Sequence, residues 1–246
     1  MSPSLFQVLN ISSNDMNSRI ADLSNSSNSL ANINTTGYKG SRLNFQELLD
    51  ETTRSGVKTS STQIMTTQGL LKTTGIESDV AINGDGFFAV TLSDGKIGYT
   101  RDGSFLLDEN KKLVNGSGYP ITMQGTIPAT ATEVTIDQNG TVHAMVDNAW
   151  VTAGTIQLTR FTNPGGLINM GSNLWTESLN SGKPQTGAPG SLNFGTLVPG
   201  SLESSNVNMA DEMTHMIVIQ RSFQLASKAF QTTSEMIDGA IRLRKG

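Results

Sequence analysis

Side chains in the first thirty-six residues fall on alternating steps of three and four: Phe6, Leu9, Ser13, Met16, Ile20, Leu23, Ser27 and Leu30. Six of these eight are apolar, which makes a heptad seam and predicts a helix over residues 3–36. Pro3 suits its first turn and Gly37 its stop. The helix is nonetheless a poor one in isolation. From Asn10 to Ser29, twelve of twenty residues are Ser or Asn. Each costs about 0.5 kcal/mol relative to Ala, a burden on the order of 6 kcal/mol. Their short polar side chains also compete for backbone hydrogen bonds. Such a segment needs a partner along its seam.

A partner is present at the other end of the chain. Residues 206–245 carry a second seam on the same spacing: Met209, Met213, Met216, Gln220, Phe223, Ser227, Phe230, Ser234, Ile237 and Ile241. Asn206 or Asn208 can cap its start, Asp211 and Glu212 sit in its first turns, and Arg242, Arg244 and Lys245 close it. Both ends then complement the helix dipole. The simplest arrangement pairs the two termini as an antiparallel coiled coil with the middle looped out. The methionines read as a packing seam. Flexible thioethers also suit a surface that meets several non-identical neighbours.

Between the helices the period changes. From about Val80 to Val198, short Val, Ile, Phe, Tyr and Leu runs alternate with turn signals, as in DVAINGDGFFAVTLSDGKIGYTRDGSFLLDENKKLV and EVTIDQNGTVHAMV. Asp94-Gly95, Asp102-Gly103, Asn115-Gly116 and Asn139-Gly140 are hairpin-type dipeptides. This predicts an antiparallel sandwich or barrel-like region. The fold class expected is therefore α+β: a terminal helical core of residues 1–36 and 206–246, an extended arm at 37–79, and a central β domain at 80–205. Residues 40–79 and 160–200 are rich in Gly, Ser, Thr and Pro and predict connections with little regular structure.

Composition narrows the function classes. Only 15% of residues are charged, the net charge is −4 and no basic run occurs, which argues against nucleic acid. The absence of cysteine excludes a disulfide framework and a zinc-thiolate site. No stretch is apolar enough to cross a bilayer, and MSPSLFQVLNISSND lacks the features of a cleaved signal peptide. Candidate chemistry is thin. Gly84-Asp85-Gly86-Phe87-Phe88-Ala89 fits a loose dinucleotide pattern, but a strand rather than a helix follows it. No run matches a calcium loop, and the lone His143 and His215 build no catalytic set. No catalytic residue, cofactor or metal is expected. The rival class, a secreted β-domain enzyme or carbohydrate-binding module, would draw on Trp150, Trp175 and three tyrosines.

Four motifs carry a resemblance. SNSLANINTTGYKGSRLNFQELL resembles the N-terminal NNLAN-x-x-T-x-G-[FY]-K segment of bacterial flagellar axial proteins. SDVAINGDGFFAV resembles their D-[VL]-A-I-x-G-x-G-F-F motif, and GYTRDGSFLLDENKKLV their Y-[ST]-R-[DN]-G-x-F motif. GSLESSNVNMADEMTHMIVIQRSFQLASKAFQTTSEM resembles their C-terminal signature. The motifs lie in the family's order and span nearly the whole chain. The resemblance is to the rod and hook proteins of the flagellar basal body. It implies a coiled-coil core made by both termini and an outer β domain. It also implies export through the flagellar type III apparatus without a cleaved signal, and self-assembly into a helical tube in the periplasm-spanning rod, beside other rod and hook proteins. SNVNMADEM…QRSF is closer to the distal rod type, whereas the short spacing from Leu49 to Asp79 is closer to the proximal type; a short hook-type protein is the near alternative. The resemblance makes the apolar seam residues the assembly contacts: Phe6, Leu9, Met16, Ile20, Leu23, Leu30, Met209, Met213, Met216, Phe223, Phe230, Ile237 and Ile241. Gly37, Tyr38, Lys39 and Arg42 are then an exit loop able to touch adjacent subunits.

Overall fold

A computed structural model describes the backbone of residues 5–49 and 54–245 and the side chains of residues 7–44 and 62–243. Pro3 and the side chains of Phe6, Arg244 and Lys245 lie outside that description. The chain forms two compact units. One gathers what is described of Met1–Ala31, Ser41–Gln63 and Asn208–Gly246; the other holds Asn32–Gly40 and Ile64–Val207.

The first unit contains both helices. Helix α1 spans Leu5–Ala31 and α2 spans Met209–Lys245. They pack against each other, and a two-stranded sheet of Ser41–Leu49 and Arg54–Ile64 accompanies them. Asn208 caps α2, its Oδ1 accepting from Ala210 N at 3.0 Å, and Asp211 and Glu212 face the positive end of the dipole. Helix α1 stops five residues before the sequence suggests. Thr35 N donates to the Asn32 carbonyl and Thr35 Oγ1 to Asn32 Oδ1, so local polar bonds replace the helical ladder. The expected structureless arm instead contains both strands of the ribbon and a third strand, Leu71–Thr73. The ribbon strands are mostly polar, which hides them from an apolar alternation test.

The second unit is β throughout. Six strands form one antiparallel sheet in the spatial order Ile168–Gly171, Leu174–Thr176, Ile97–Thr100, Phe87–Thr91, Leu158–Arg160 and Gln185–Gly187. Four more form a second sheet: Val134–Ile136, Thr141–Val146, Ala149–Ile156 and Met123–Gly125. The central strands of the large sheet are buried on both faces, while its edge strands Ile168–Gly171 and Gln185–Gly187 are largely exposed. Phe88 and Leu158 join one core cluster with Phe105, Ile136 and Ile156, while Phe87 and Ala89 join another with Tyr99, Phe161 and Trp175. Adjacent residues Phe87 and Phe88 thus serve opposite cores, as the two-residue period of a strand requires. GDGFF is therefore a turn leading into a core strand, and Trp175 is core rather than a binding platform.

The short strand Ser201–Glu203 pairs with Leu71–Thr73, and Thr196–Pro199 pairs with Val80–Asn83. The second unit therefore draws on residues well upstream of Val80. A fragment of residues 32–207 is expected to melt as one cooperative unit. A fragment of 80–205 lacks the partner of its last strand and should melt at a clearly lower temperature. Circular dichroism melts of the two fragments check this, and equal midpoints would contradict it.

Candidate functional site: an interaction face and a buried clasp

Helix α1 does not turn its apolar seam inward, whereas α2 turns part of its own inward. On α1 the buried residues are Ser12, Ser18, Asp22, Ser26 and Ser29, the last only 1% exposed. Asp22 marks the direction of α2, since its carboxylate lies 3.4 Å from His215 Nε2. At 100° per residue, Ser18, Ser26 and Ser29 share that face. The apolar positions are turned away from it. Ile20 is 54% exposed, while Leu9, Met16, Leu23 and Leu30 are half-buried. On α2 the inward stripe runs Glu212, Met216, Ile219, Phe223, Ala226, Phe230, Thr233 and Ile237, again on steps of four and three. It shares Met216, Phe223, Phe230 and Ile237 with the sequence seam. Met209, Met213 and Ile241 are exposed.

A further apolar stripe on α2 is not visible in the sequence pattern alone. Val218, Leu225, Met236 and Leu243 are all exposed, Leu225 to 71%. Their spacings of seven, eleven and seven place them on one face, roughly 100° from the inward stripe. A seven- and eleven-residue recurrence is the available signal, masked by the stronger Met and Phe seam beside it. The exposed row of α2, with Ile20 on α1, offers apolar surface suited to burial against another chain. The serine face of α1, by contrast, adds little apolar area, and the inward apolar side chains come from the α2 stripe. Small hydroxyls bury little apolar area, and Ser29 Oγ has no hydrogen-bond partner among the described residues.

In the second unit, residues from distant motifs converge. Lys39 Nζ donates to Glu203 Oε1 at 2.5 Å and to the Thr67 carbonyl at 2.8 Å. Gly69 N donates to the same Glu203 oxygen. Arg101 Nη1 lies 3.5 Å from Glu203 Oε2, and its guanidinium sits over the Phe87 ring at 5.1 Å. All three charged side chains are buried. Burial lowers the Lys39 pKa from its ordinary value; Glu203 works against that shift and Arg101 with it. Burial likewise lowers that of Arg101, with Glu203 and Asp85 opposing.

The chain around this cluster is fixed by short-range sterics and hydrogen bonds. Gly37 adopts φ +64°, and a Cβ there would collide with the Arg101 and Asp102 backbone. Thr36 Oγ1 donates to Asp102 Oδ1 at 2.8 Å, and Asn173 Nδ2 to the Thr36 carbonyl. Asp102 is held above the usual carboxylate range by burial, with the Thr36 and Ser104 hydrogen bonds acting in opposition. Asn206 Oδ1 accepts from Gly40 N, and its Nδ2 donates to the Met65 and Thr67 carbonyls. The Asp102-Gly103 step is consequently not a hairpin tip. A Cβ at Gly103 would overlap the Val80 carbonyl, and Gly103 O accepts from Val80 N.

The four exit-loop residues thus separate. Gly37 and Lys39 are buried within their own chain, Tyr38 is half-buried, and Arg42 is exposed. Lys39 turns inward because Glu203, 164 residues away in sequence, neutralises it there.

The comparisons accord with this architecture. Residues 81–144 match the family model described as the flagellar hook protein FlgE/F/G D1 domain, and residues 198–243 the one described as the flagellar basal body rod FlgEFG protein C-terminal. The chain is similar to the flagellar basal-body rod protein FlgG of Buchnera aphidicola subsp. Acyrthosiphon pisum, at 38% identity over 258 residues, covering 96% of this chain and 98% of that one. It is 39% identical to that of Borreliella burgdorferi, over 89% of this chain and 91% of the relative. For the Caulobacter vibrioides protein the identity is 35%, over 89% and 92%.

Removing one member of a buried charge cluster leaves the others uncompensated. Glu203→Gln is expected to cost the second unit about 3–5 kcal/mol. The double variant Lys39→Met/Glu203→Leu should recover part of that loss. Urea midpoints of the three proteins measure it, and an unchanged midpoint in Glu203→Gln would show that the cluster carries no stability.

Proposed function

The chain belongs to the family of flagellar hook and basal-body rod proteins, and from that premise we propose that it works by packing rather than by chemistry. It is a structural subunit of the flagellar rod, the shaft that serves motility. In this reading it assembles with further copies of itself, and with neighbouring rod and hook proteins, into a helical tube. It reaches that site through the flagellar type III export apparatus.

The observation that supports the reading is the inverted face of α1, together with the exposed apolar row of α2. An α1 that turns serines inward and leaves Ile20 exposed is poorly served by its own subunit. Leu9, Met16, Ile20, Leu23 and Leu30 on α1, with Met209, Met213 and Ile241 on α2, are the proposed contacts to other subunits. Val218, Leu225, Met236 and Leu243 extend that surface. Burying four such side chains is worth roughly 6–12 kcal/mol before ordering costs are subtracted. That is of the same order as the propensity deficit of α1. The helices are proposed to reach full coiled-coil order when a neighbour covers their apolar rows, so that folding and addition are coupled. Head-to-tail contacts that do not close then give a helical polymer.

Leu225→Asp places a charge on the exposed row and leaves the inward stripe intact. The monomer midpoint should move by less than about 0.5 kcal/mol, as for surface substitutions generally. Polymer formation, followed by sedimentation and electron microscopy, should be lost. Wild-type polymer yields from Leu225→Asp would remove that row from the proposed interface. Deletion of residues 1–31 should also abolish polymerisation, and filaments from the truncated chain would sink the packing account.

A further inference from the structure

Beside the buried clasp, the second unit has a cleft of about 280 Å³. That is room for about nine waters, or for one amino-acid side chain. Besides Thr66, Thr162 and Gly86, its walls are apolar or charged. Ile64, Phe87, Phe161 and Pro164 are apolar; Lys39, Arg101 and Arg160 are cationic, and Asp85 lies among them. The charges do not cancel. Three cations stand against the two carboxylates of Asp85 and Glu203, leaving one positive charge in a partly desolvated space.

The donors are not all used either. Arg101 is 4% exposed, yet among the described residues its Nε–H has no hydrogen-bond partner, and Nη1 meets Glu203 only at 3.5 Å. A buried N–H without an acceptor costs about 1–3 kcal/mol, and more in a charged group. Among the described residues Arg160 makes no ion pair, so a second guanidinium in the same cleft is available. We propose that this cleft binds a carboxylate, with Arg160 as the accessible donor, the sealed Arg101 guanidinium as a fixed positive charge behind it, and the Ile64, Phe87 and Phe161 side chains covering the aliphatic stem. The single surplus charge suits a monoanion, and Asp85 disfavours a dianion such as phosphate. Arginine forks match carboxylate geometry.

A carboxylate of this kind has two sources: a small acid in solution, or an acidic side chain of a second copy of this chain. The second source rests on the assembly reading above; the cleft itself does not. The test uses the full-length monomer labelled with ¹⁵N-arginine and follows the Arg101 and Arg160 Nε–H resonances by NMR. The probe is sodium butyrate, whose chain reproduces a glutamate side chain. A saturable shift in the millimolar range is expected. Arg160→Gln should weaken it about tenfold with the melting temperature unchanged, and inorganic phosphate should bind more weakly than butyrate. The proposal is overturned if butyrate gives no saturable shift, if Arg160→Gln leaves the titration unaltered, or if phosphate binds as well as butyrate. The same titration on assembled wild-type protein, by solid-state NMR, separates the sources. Loss of the butyrate response there assigns the carboxylate to the neighbouring copy, and its persistence assigns it to solution; both outcomes support the cleft. A wild type that does not assemble would defeat the packing account, and the monomer titration would then decide the cleft by itself.

Discussion

Helix α1 turns serines and Asp22 inward instead of its apolar row, whereas the inward stripe of α2 carries Met216, Ile219, Phe223 and Phe230. This one choice of helix face sets the properties of the first unit. A serine face gains little from leaving water, so it cannot by itself offset the poor intrinsic helicity of α1. The same rotation leaves apolar side chains of both helices turned outward. Under the packing proposal, a subunit built this way is marginal alone and gains when another chain covers it. That is the behaviour required of a shaft component that adds at a growing end.

The second unit follows the opposite logic. Its stability is internal: two apolar cores on either side of one sheet and a buried charge cluster tying sequence-distant segments together. TGYK supplies Gly37 and Lys39, YTRDG supplies Arg101 and Gly103, and GSLE supplies Glu203. A buried ion cluster is a poor source of net stability but an exacting one of geometry, because any misplacement leaves a charge uncompensated. The cluster accounts physically for why these residue types stand in these motifs. Asn206 adds a similar constraint by bonding Gly40 and Met65 at once.

Much of this was legible in the sequence, and the gaps have physical causes. The 3–4 spacing located both helices, and the two-residue alternation with Gly turns located the β region. Which helix face turns inward was not legible. A heptad seam says that apolar positions align, not whether they meet a helix of the same subunit or of the next one. The ribbon of Ser41–Leu49 and Arg54–Ile64 is hard to see in a hydrophobicity pattern because only Arg42 to Gln46 alternates and the second strand carries just Val57 and Ile64 as apolar side chains. Two tight turns are hidden because Asp147, Asn148, Ser172 and Asn173 take positive φ where glycine would have signalled it. Lys39 reads as a surface cation because nothing local reveals a partner 164 residues away.

The inward serine face of α1 and the exposed row of α2 are tested most directly by thiol accessibility, since the chain has no cysteine of its own. Single substitutions Ser26→Cys and Leu225→Cys, each labelled with a maleimide before and after polymerisation, report the two faces separately. The account predicts slow labelling at residue 26 in both states, and labelling at residue 225 that is fast in the monomer and blocked in the polymer. Rapid labelling at 26 in the folded monomer, or continued labelling at 225 in the polymer, would contradict it.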